Sequence, residues 1–221
     1  MNSQQVIEQI RRLYSELAIP SNLQLHMFRA ASVAMLICEH WKGTPLEKED
    51  IIASLLLHDV GNIVKFNWQR RELYAKDVLL NLDFWKQKQS EIIAKYSSDD
   101  HEVTLKLLEN YEISPRIIQL ITEHESLKNE TIASGTDMNV KVCCYADHRA
   151  GPKGIVSLSE RYEEAEKRYG GPVPGVKTGS GKIKNAAFII ENQVLAQTDL
   201  APEDITDAAI EKYLQILMKK S

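Results

Sequence analysis

The segment LLLHDVGN, residues 55–62, places His58 and Asp59 directly after an aliphatic run that begins at Ile51. Such a run is typical of a protein core, and burial of a carboxylate is costly unless a cation compensates its charge. Either a neighbouring arginine or a metal ion can supply that cation. A metal ion needs further histidine or carboxylate ligands, so the positions of these residues elsewhere in the chain distinguish the two alternatives.

Four more potential ligands lie on helix faces that the hydrophobic periodicity turns inward: His26, His101, His124 and Asp147. His26, for example, shares a stripe with Ala30, Val33 and Ile37, at offsets of four, seven and eleven residues. A single buried histidine is more often held by a backbone carbonyl than by a metal. Several inward-facing histidines and aspartates on separate helices favour a metal centre instead, as in other helical bundles.

His40 and His148 are assigned other roles. His40 lies fourteen residues beyond His26 on the same predicted helix, which separates the two by roughly 21 Å, so we expect it at a helix end. His148 directly follows Asp147, and it either supports that ligand or has a solvated or capping role. The cysteines have neither disulfide nor zinc-ribbon spacing, and we expect them in the core of a protein from a reducing compartment: Cys38, Cys143 and Cys144.

The charge of the predicted centre indicates what it would bind. Two divalent ions carry four positive charges, and the carboxylates of Asp59 and Asp147 return two negative charges, because coordinating histidines are neutral. The remaining positive charge favours hydroxide and anionic oxygens, which predicts a phosphate site. With only one divalent ion, the net positive charge of the site falls towards zero. A histidine-rich ligand set favours Fe, Mn, Co, Ni or Zn, with Mg²⁺ as a further option.

Helical periodicity dominates the chain and long alternating strand patterns are missing, so the sequence predicts an all-α fold. We expect helices over residues 3–17, 22–41, 47–59, 69–80, 84–95, 100–110, 115–125, 137–150, 155–169 and 203–219. Ser157 and Glu160 form a predicted capping box. Residues 186–197, AAFIIENQVLAQ, fit either a short helix or a hairpin.

The stretch from Gly170 to Asn185, rich in glycine, proline and lysine, is the one clear break in the pattern. We therefore expect a helical domain over residues 1–169 and a linker or mobile loop over 170–185. A C-terminal segment with a helix, residues 186–221, is expected to pack on the main domain.

The composition, with 43% apolar and 26% charged residues among 221, is that of a globular protein with one main domain. A net charge of -4 provides no general attraction for nucleic acid or an anionic membrane, so we expect no polymeric nucleic acid partner. The apolar stretches are short and the first ten residues lack the order of a signal peptide. We expect no membrane association and a cytoplasmic location, and we leave the oligomeric state open.

The ordered ligand set resembles the His…His-Asp…Asp signature of the HD superfamily of metal-dependent phosphohydrolases, with the matching positions His26, His58, Asp59 and Asp147. The stretch LLHDVGN is similar to the LLHDIG stretch common in that family. The resemblance covers about residues 22–150. It implies a helical bundle with the metal site in its core.

The order of His101 and His124 extends the resemblance to the dinuclear branch, which includes HD-GYP-type cyclic dinucleotide phosphodiesterases. The resemblance implies a first ion held by His26, His58, Asp59 and Asp147. Asp59 would bridge to a second ion on His101 and His124, which makes it the predicted catalytic residue, and a water or hydroxide between the ions would attack phosphorus. Two departures argue against a cyclic dinucleotide substrate: Asn62 replaces the usual lysine, and no GYP tripeptide follows.

Basic residues near the expected mouth of the site are candidates for binding substrate oxygens. We select one after the His-Asp pair and three after the last aspartate: Lys65, Arg149, Lys153 and Arg161. For each of them, a solvated surface cation is the alternative.

The function that we expect is a metal-dependent phosphohydrolase acting on a small phosphorylated molecule, for example a nucleotide. The chain has no Gly-x-Ser-x-Gly elbow, P-loop or dinucleotide glycine motif, and metal-assisted attack needs no protein nucleophile. Two alternatives stay open. One is a di-iron oxygenase, because inositol oxygenase-like members of the superfamily use the same ligand pattern, and the other is a non-catalytic metal-binding sensor module.

Overall fold

The computed structural model describes residues 3–169 and 180–219. Within these ranges the chain forms twelve α-helices and no strand, so the all-α prediction is confirmed. The helices are α1 (Ser3–Glu16), α2 (Ser21–Glu39), α3 (Lys48–Leu57), α4 (Lys76–Leu80), α5 (Leu82–Lys95), α6 (Asp100–Leu108), α7 (Pro115–Glu123), α8 (Asn129–Ser134), α9 (Met138–Arg149), α10 (Leu158–Tyr169), α11 (Ser180–Leu195) and α12 (Asp207–Met218).

Helix α2 lies at the centre of the bundle, where it contacts α3, α9 and α12. The side chains of Ala30, Val33, Ala34 and Ile37 have no exposed surface. Small residues on more than one face allow the neighbouring helices to approach α2 closely. His26 lies one turn before Ala30, so the packing of α2 also fixes the position of this histidine.

The chain turns sharply at the end of α3. This helix ends at Leu57, and His58 and Asp59 follow in a tight turn that leads into a 3-10 helix over Asn62–Lys65. Backbone hydrogen bonds of the i→i+3 type tighten the chain here. The predicted helix over 47–59 is therefore too long at its C-terminal end, and the two candidate ligands belong to the turn.

Gly61 lies where α6 comes very close to this turn. A Cβ atom at Gly61 would be 2.5 Å from the backbone nitrogen of Thr104 and 2.6 Å from the carbonyl oxygen of Asp100. The Gly61 N–H also donates to Thr104 Oγ1 at 3.0 Å. Because only glycine leaves room for this contact, it places the start of α6, including His101, beside the turn that carries Asp59.

We expect Gly61→Ala to lower the free energy of unfolding by about 1–3 kcal/mol, the usual effect of overpacking. The added methyl group would meet backbone atoms, which move less readily than the end of a side chain. Denaturant titration, monitored by tryptophan fluorescence, measures the change in the free energy of unfolding. Gly181→Ala in α11 is the matched control, since its Cβ would have open space and alanine favours a helix. Equal stability of the two variants would contradict the close approach of α6.

The predicted helix over residues 69–80 is wrong. A 3-10 turn at Arg71–Leu73 and the short helix α4 replace it, and Tyr74 between them is extended. The ring of Tyr74 lies 5.0 Å from the ring of Phe66 and 5.0 Å from the ring of Trp68. This aromatic packing folds the chain back on itself, and it is incompatible with a continuous helix.

The predicted helix over residues 155–169 begins three residues too early. The observed helix α10 starts at Leu158, because Ile155 pairs with Ala150 in an isolated antiparallel bridge. The predicted capping box is confirmed. The Glu160 N–H donates to Ser157 Oγ at 3.2 Å, and the Ser157 N–H donates to Glu160 Oε2 at 2.8 Å. The remaining predicted helices agree with the observed ones to within four residues at each end.

The structure decides the alternative at residues 186–197 in favour of a helix, because α11 extends to Leu195. The predicted linker over 170–185 is too long, since residues 180–185 are part of that helix. Residues 170–179 lie outside the described residues, and the division into domains stays a prediction.

The cysteines are buried and form no disulfide, as predicted: Cys38, Cys143 and Cys144. None of the described helices combines the length and the apolar character needed to cross a bilayer.

Candidate metal centre

Ligand-type side chains from α2, from the turn after α3 and from the last turn of α9 meet at one point. His26 Nε2 lies 3.0 Å from Asp147 Oδ1 and 3.5 Å from Asp59 Oδ2. His58 Nε2 lies 3.3 Å from Asp147 Oδ1 and 3.7 Å from Asp59 Oδ2. One ligand atom each from His26, His58 and Asp147 lies within 4.8 Å of the other two. Ligand atoms that share one ion, each at about 2 Å from it, have separations of this order.

Backbone carbonyls orient two of the histidines. The Nδ1–H of His58 donates to the carbonyl oxygen of Leu55 at 2.8 Å, and the Nδ1–H of His124 donates to that of Leu120 at 2.6 Å. These contacts assign the lone pair to Nε2 in each neutral ring. The rings of His58 and His124 are neighbours, with centroids 5.3 Å apart. Outer hydrogen bonds of this kind are usual for histidines that bind metals.

A divalent metal ion fits this set of donor atoms. Among the candidate ligands, three buried atoms have no hydrogen-bond partner within the described residues: His58 Nε2, His101 Nε2 and Asp147 Oδ1. Buried polar atoms are normally satisfied, so unpartnered atoms of this kind indicate a missing ligand. Imidazole nitrogens and carboxylate oxygens are donors that Fe, Mn, Co, Ni and Zn accept.

The electrostatics of the cluster favour positive charge at its centre. Burial acts to lower the pKa of His58, but the charges of Asp59 and Asp147 outweigh it and raise the pKa to about 9. Burial lowers the pKa of His124 to about 4, and the charge of His58 acts in the same direction. The pKa of Asp147 lies well below its ordinary value: burial acts to raise it, and the two facing histidines more than offset that. The field that attracts a proton to this point also attracts a metal cation, which binds the neutral imidazoles.

The structure brings five of the six predicted ligands into one cluster: His26, His58, Asp59, His124 and Asp147. His101 lies on α6, on the part of that helix that contacts Gly61. The assignment of ligands to one or two ions stays a prediction.

Asn62 has a structural role beside the cluster. Its Nδ2 donates to Asp59 Oδ2 at 2.8 Å. From the sequence, Asn62 was notable only because HD-GYP-like proteins usually have a lysine at this position. In the structure it orients the carboxylate that is predicted to bridge two ions.

Three of the four predicted substrate-binding residues stay candidates. Lys65 pairs with Asp100 at 2.5 Å at the start of α6. Lys153 is exposed in the loop after α9, and Arg161 is half-buried on α10.

Arg149 differs from the prediction. Its side chain is only 4% exposed, and Nε donates to the carbonyl oxygen of Val156 at 2.5 Å. Nη1 donates to Tyr145 Oη at 2.7 Å, and Nη2 donates to the carbonyl oxygens of Pro202 and Ile205 at 3.0 and 2.8 Å. All three guanidinium nitrogens are therefore used inside the protein, and the proposed substrate site does not include Arg149.

Arg29 is a candidate that the sequence analysis missed. It follows His26 by three residues on α2, and its Nη1 and Nη2 donate to the carbonyl oxygens of Pro152 and Lys153, each at 3.4 Å. Its Nε is buried and has no partner within the described part of the chain. Burial lowers the pKa of Arg29. The i+3 spacing from His26 is the sequence signal that places this cation beside the cluster.

The two remaining histidines do not join the cluster. His40 caps the C-terminal end of α2 and pairs with Asp199 at 2.7 Å, which confirms the predicted helix-end position. His148 is buried, so the solvated alternative for it is wrong. Its Nδ1–H donates to the Cys144 carbonyl oxygen at 2.6 Å, and its Nε2 accepts from the Tyr162 hydroxyl at 3.2 Å.

A helical bundle that gathers histidines and aspartates around one buried point is typical of helical proteins that bind metal in their core. Residues 24–165 match the model of the HD domain family. Because this match spans more than half of the chain, the protein belongs to the HD domain family, whose members are generally metal-dependent hydrolases. Searches of curated proteins and of solved structures find no match to the chain.

Proposed function

We propose that the protein is a metal-dependent phosphohydrolase that acts on a phosphoester of a small molecule such as a nucleotide. The observation that carries the proposal is the convergence of His26, His58 and Asp147 within 4.8 Å, with buried donor atoms that lack other partners. Membership of the HD domain family supports it. When bound, divalent ions supply the Lewis acidity that activates water and neutralises the phosphoryl oxygens.

The proposed roles of the ligands follow their positions. A first ion would be held by His26, His58, Asp59 and Asp147, and a second by Asp59, His101 and His124. Asp59 is the proposed catalytic residue because it belongs to both sets, and Asn62 keeps its carboxylate in place.

The basic residues around the cluster are proposed to hold the phosphate. Arg29 lies closest in sequence to a ligand, and it contacts the loop that carries Lys153. Lys65 and Arg161 complete the proposed set. Hydrolysis joins the water oxygen to phosphorus and breaks the P–O bond to the leaving alcohol, which departs with a proton. Cations that bind the other phosphate oxygens reduce the repulsion that the attacking oxygen meets.

The test combines metal analysis with an activity screen. The purified protein is reconstituted with Mn²⁺, Co²⁺, Fe²⁺, Ni²⁺, Zn²⁺ or Mg²⁺ and assayed on phosphatase, nucleotidase and phosphodiesterase substrates, with and without O₂. Phosphate release in anaerobic buffer with Mn²⁺ or Co²⁺ supports the proposal. Oxygen consumption by a coloured mixed-valent iron form would favour the oxygenase, and bound metal without turnover would favour the sensor.

We expect Arg29→Gln to reduce kcat/KM for the best phosphoester substrate by roughly 10–100-fold, the effect of losing a hydrogen bond to a charged group. Metal content should not change, because Arg29 is not a predicted ligand. Steady-state kinetics and elemental analysis measure the two quantities. Arg12→Gln is the control, because Arg12 is exposed on α1 and pairs only weakly with Glu8 at 4.0 Å. Unchanged kinetics in Arg29→Gln would restrict this arginine to holding the loop.

A further inference from the structure

The C-terminal segment, defined here as residues 180–219, lies beyond the region that matches the HD domain family, which ends at residue 165. It nevertheless contacts the end of α9, two residues from the predicted ligand Asp147. The segment consists of α11, a 3-10 turn at Pro202–Asp204 and α12.

Arg149 makes two hydrogen bonds at this contact. Its Nη2 reaches the carbonyl oxygens of Pro202 and Ile205, which lie at the connection between α11 and α12. Its Nε and Nη1 stay on the side of the main domain, where they bond to Val156 and Tyr145. One guanidinium group therefore joins the last turn of α9 to the C-terminal segment.

Glu191 of α11 completes this network. Tyr145 Oη donates to Glu191 Oε2 at 2.8 Å, and Arg149 Nη1 lies 3.9 Å from the same oxygen. Glu191 is 8% exposed and Tyr145 is 1% exposed. Because the Glu191 carboxylate is buried beside the Arg149 guanidinium, its negative charge balances the positive charge of that group. A buried ion pair is strongly perturbed when one partner is removed, because the other charge is left uncompensated.

Asp207 provides a second contact to the loop that follows α9. The Ile155 N–H lies 3.2 Å from each carboxylate oxygen of Asp207, the first residue of α12. Gly154 lies so close that a Cβ atom there would be 2.7 Å from Asp207 Oδ2. The loop also closes on itself, since the Gly151 N–H donates to the Gly154 carbonyl oxygen at 2.8 Å. The C-terminal segment thus holds the loop at both of its ends.

We propose that the C-terminal segment is a working part of the metal centre, and that Arg149 is the positioning residue through which it fixes Asp147. The last carbonyl groups of a helix have no partner within it, and that of Asp147 accepts from the Ala150 N–H just beyond α9, so the position of Asp147 depends on what holds the residues after it. Arg149 holds them through four hydrogen bonds, two of which go to carbonyl oxygens of the C-terminal segment. This inference rests on the proposed function to the extent that Asp147 binds a metal.

The test measures metal affinity in the full-length folded protein, by calorimetric titration of Mn²⁺ after removal of bound metal with a chelator. Arg149→Lys keeps the positive charge but loses the planar fork that reaches several acceptors at once. Glu191→Gln keeps the shape of the side chain and removes the balancing charge. We expect each variant to bind Mn²⁺ roughly 10–100-fold more weakly, the usual effect of removing an outer partner of a ligand.

Lys212→Gln is the matched control, because Lys212 also joins the C-terminal segment to the main domain, through an exposed pair with Glu39 at 2.8 Å. This variant should bind Mn²⁺ as tightly as the native protein. Circular dichroism establishes that each variant is folded at the titration temperature, and if Arg149→Lys does not fold, Glu191→Gln decides the question. Native affinity in a folded Arg149→Lys or Glu191→Gln variant would overturn this inference alone. Absence of Mn²⁺ binding by the native protein would overturn the proposed function together with it.

Discussion

We expect the Asp147→Asn variant to bind divalent metal more than about 100-fold less tightly than the native protein, since loss of even an outer partner weakens binding by roughly 10–100-fold. Asp147 Oδ1 lies 3.0 Å from His26 Nε2 and 3.3 Å from His58 Nε2, so it is the atom on which the other ligands converge. Asparagine preserves the shape of the side chain but removes a charge that the two histidines face. Hydrolysis of phosphoesters should fall below detection, because the proposed chemistry depends on the metal.

The measurement is titration with Mn²⁺ combined with elemental analysis of the protein as purified. Asp199→Asn is the control, because Asp199 also pairs with a histidine, His40 at 2.7 Å, but on the surface. That variant should keep both metal and activity. A folded Asp147→Asn protein with full metal content and full turnover would remove Asp147 from the centre, and with it the proposed mechanism.

The candidate metal centre was largely predictable from the sequence, because helical periodicity encodes which face of a helix is buried. His26 follows the same stripe as Ala30 and Ile37, and both of these side chains have no exposed surface in the structure. His124 follows Leu120 and Ile121 in the same way, and it is 3% exposed. An inward-facing polar residue at the end of such a stripe is informative since burial penalises it unless a partner is present.

The turn after α3 was less predictable. The apolar run up to Leu57 predicts a buried helix, but it does not indicate where the chain leaves the helical path. Gly61 is the physical reason for the observed geometry, because α6 approaches it to a distance that no side chain allows. That approach joins residues about 40 positions apart along the chain, which local periodicity does not report.

Arg149 shows the same limit at the functional site. In the sequence it lies at the end of the predicted helix over 137–150, just before a segment with glycines and basic residues, and it has the character of a solvated cation. In the structure its acceptors are carbonyl oxygens 53 and 56 residues further along, from Pro202 and Ile205. A backbone carbonyl is offered by every residue, so no side-chain pattern identifies these partners. The position of the C-terminal segment had to be known before the arginine could be assigned.

Arg29 was not predicted as a candidate, because a single charged residue on an otherwise apolar helix is normally assigned to solvent. Helix α2 contains one arginine. Its partly buried guanidinium lies one turn from His26 and reaches the loop after α9. The candidate ligands His26, His124 and Asp147 therefore lie on inward-facing stripes, whereas Arg29 lies where α2 meets the loop after α9.

We expect replacement of both His101 and His124 by leucine to remove about one equivalent of bound metal and to leave the other in place, if the proposed dinuclear centre is present. His101 approaches on α6, His124 follows α7, and neither belongs to the group of three ligands within 4.8 Å of one another. Elemental analysis and calorimetric titration give the number of ions directly. Turnover should be lost with the second ion, because two metal ions would stabilise the attacking oxygen and the leaving oxygen at the same time.

His148→Leu is the control for this double replacement. His148 is as buried as His124, but both of its ring nitrogens already have protein partners, so it has no lone pair left for a metal. Its replacement should lower the free energy of unfolding by about 1–3 kcal/mol, through a buried group left unsatisfied, and should leave the metal content unchanged. If the His101 and His124 double variant keeps the native number of ions, both are ordinary core histidines and the centre holds its metal through His26, His58, Asp59 and Asp147 alone.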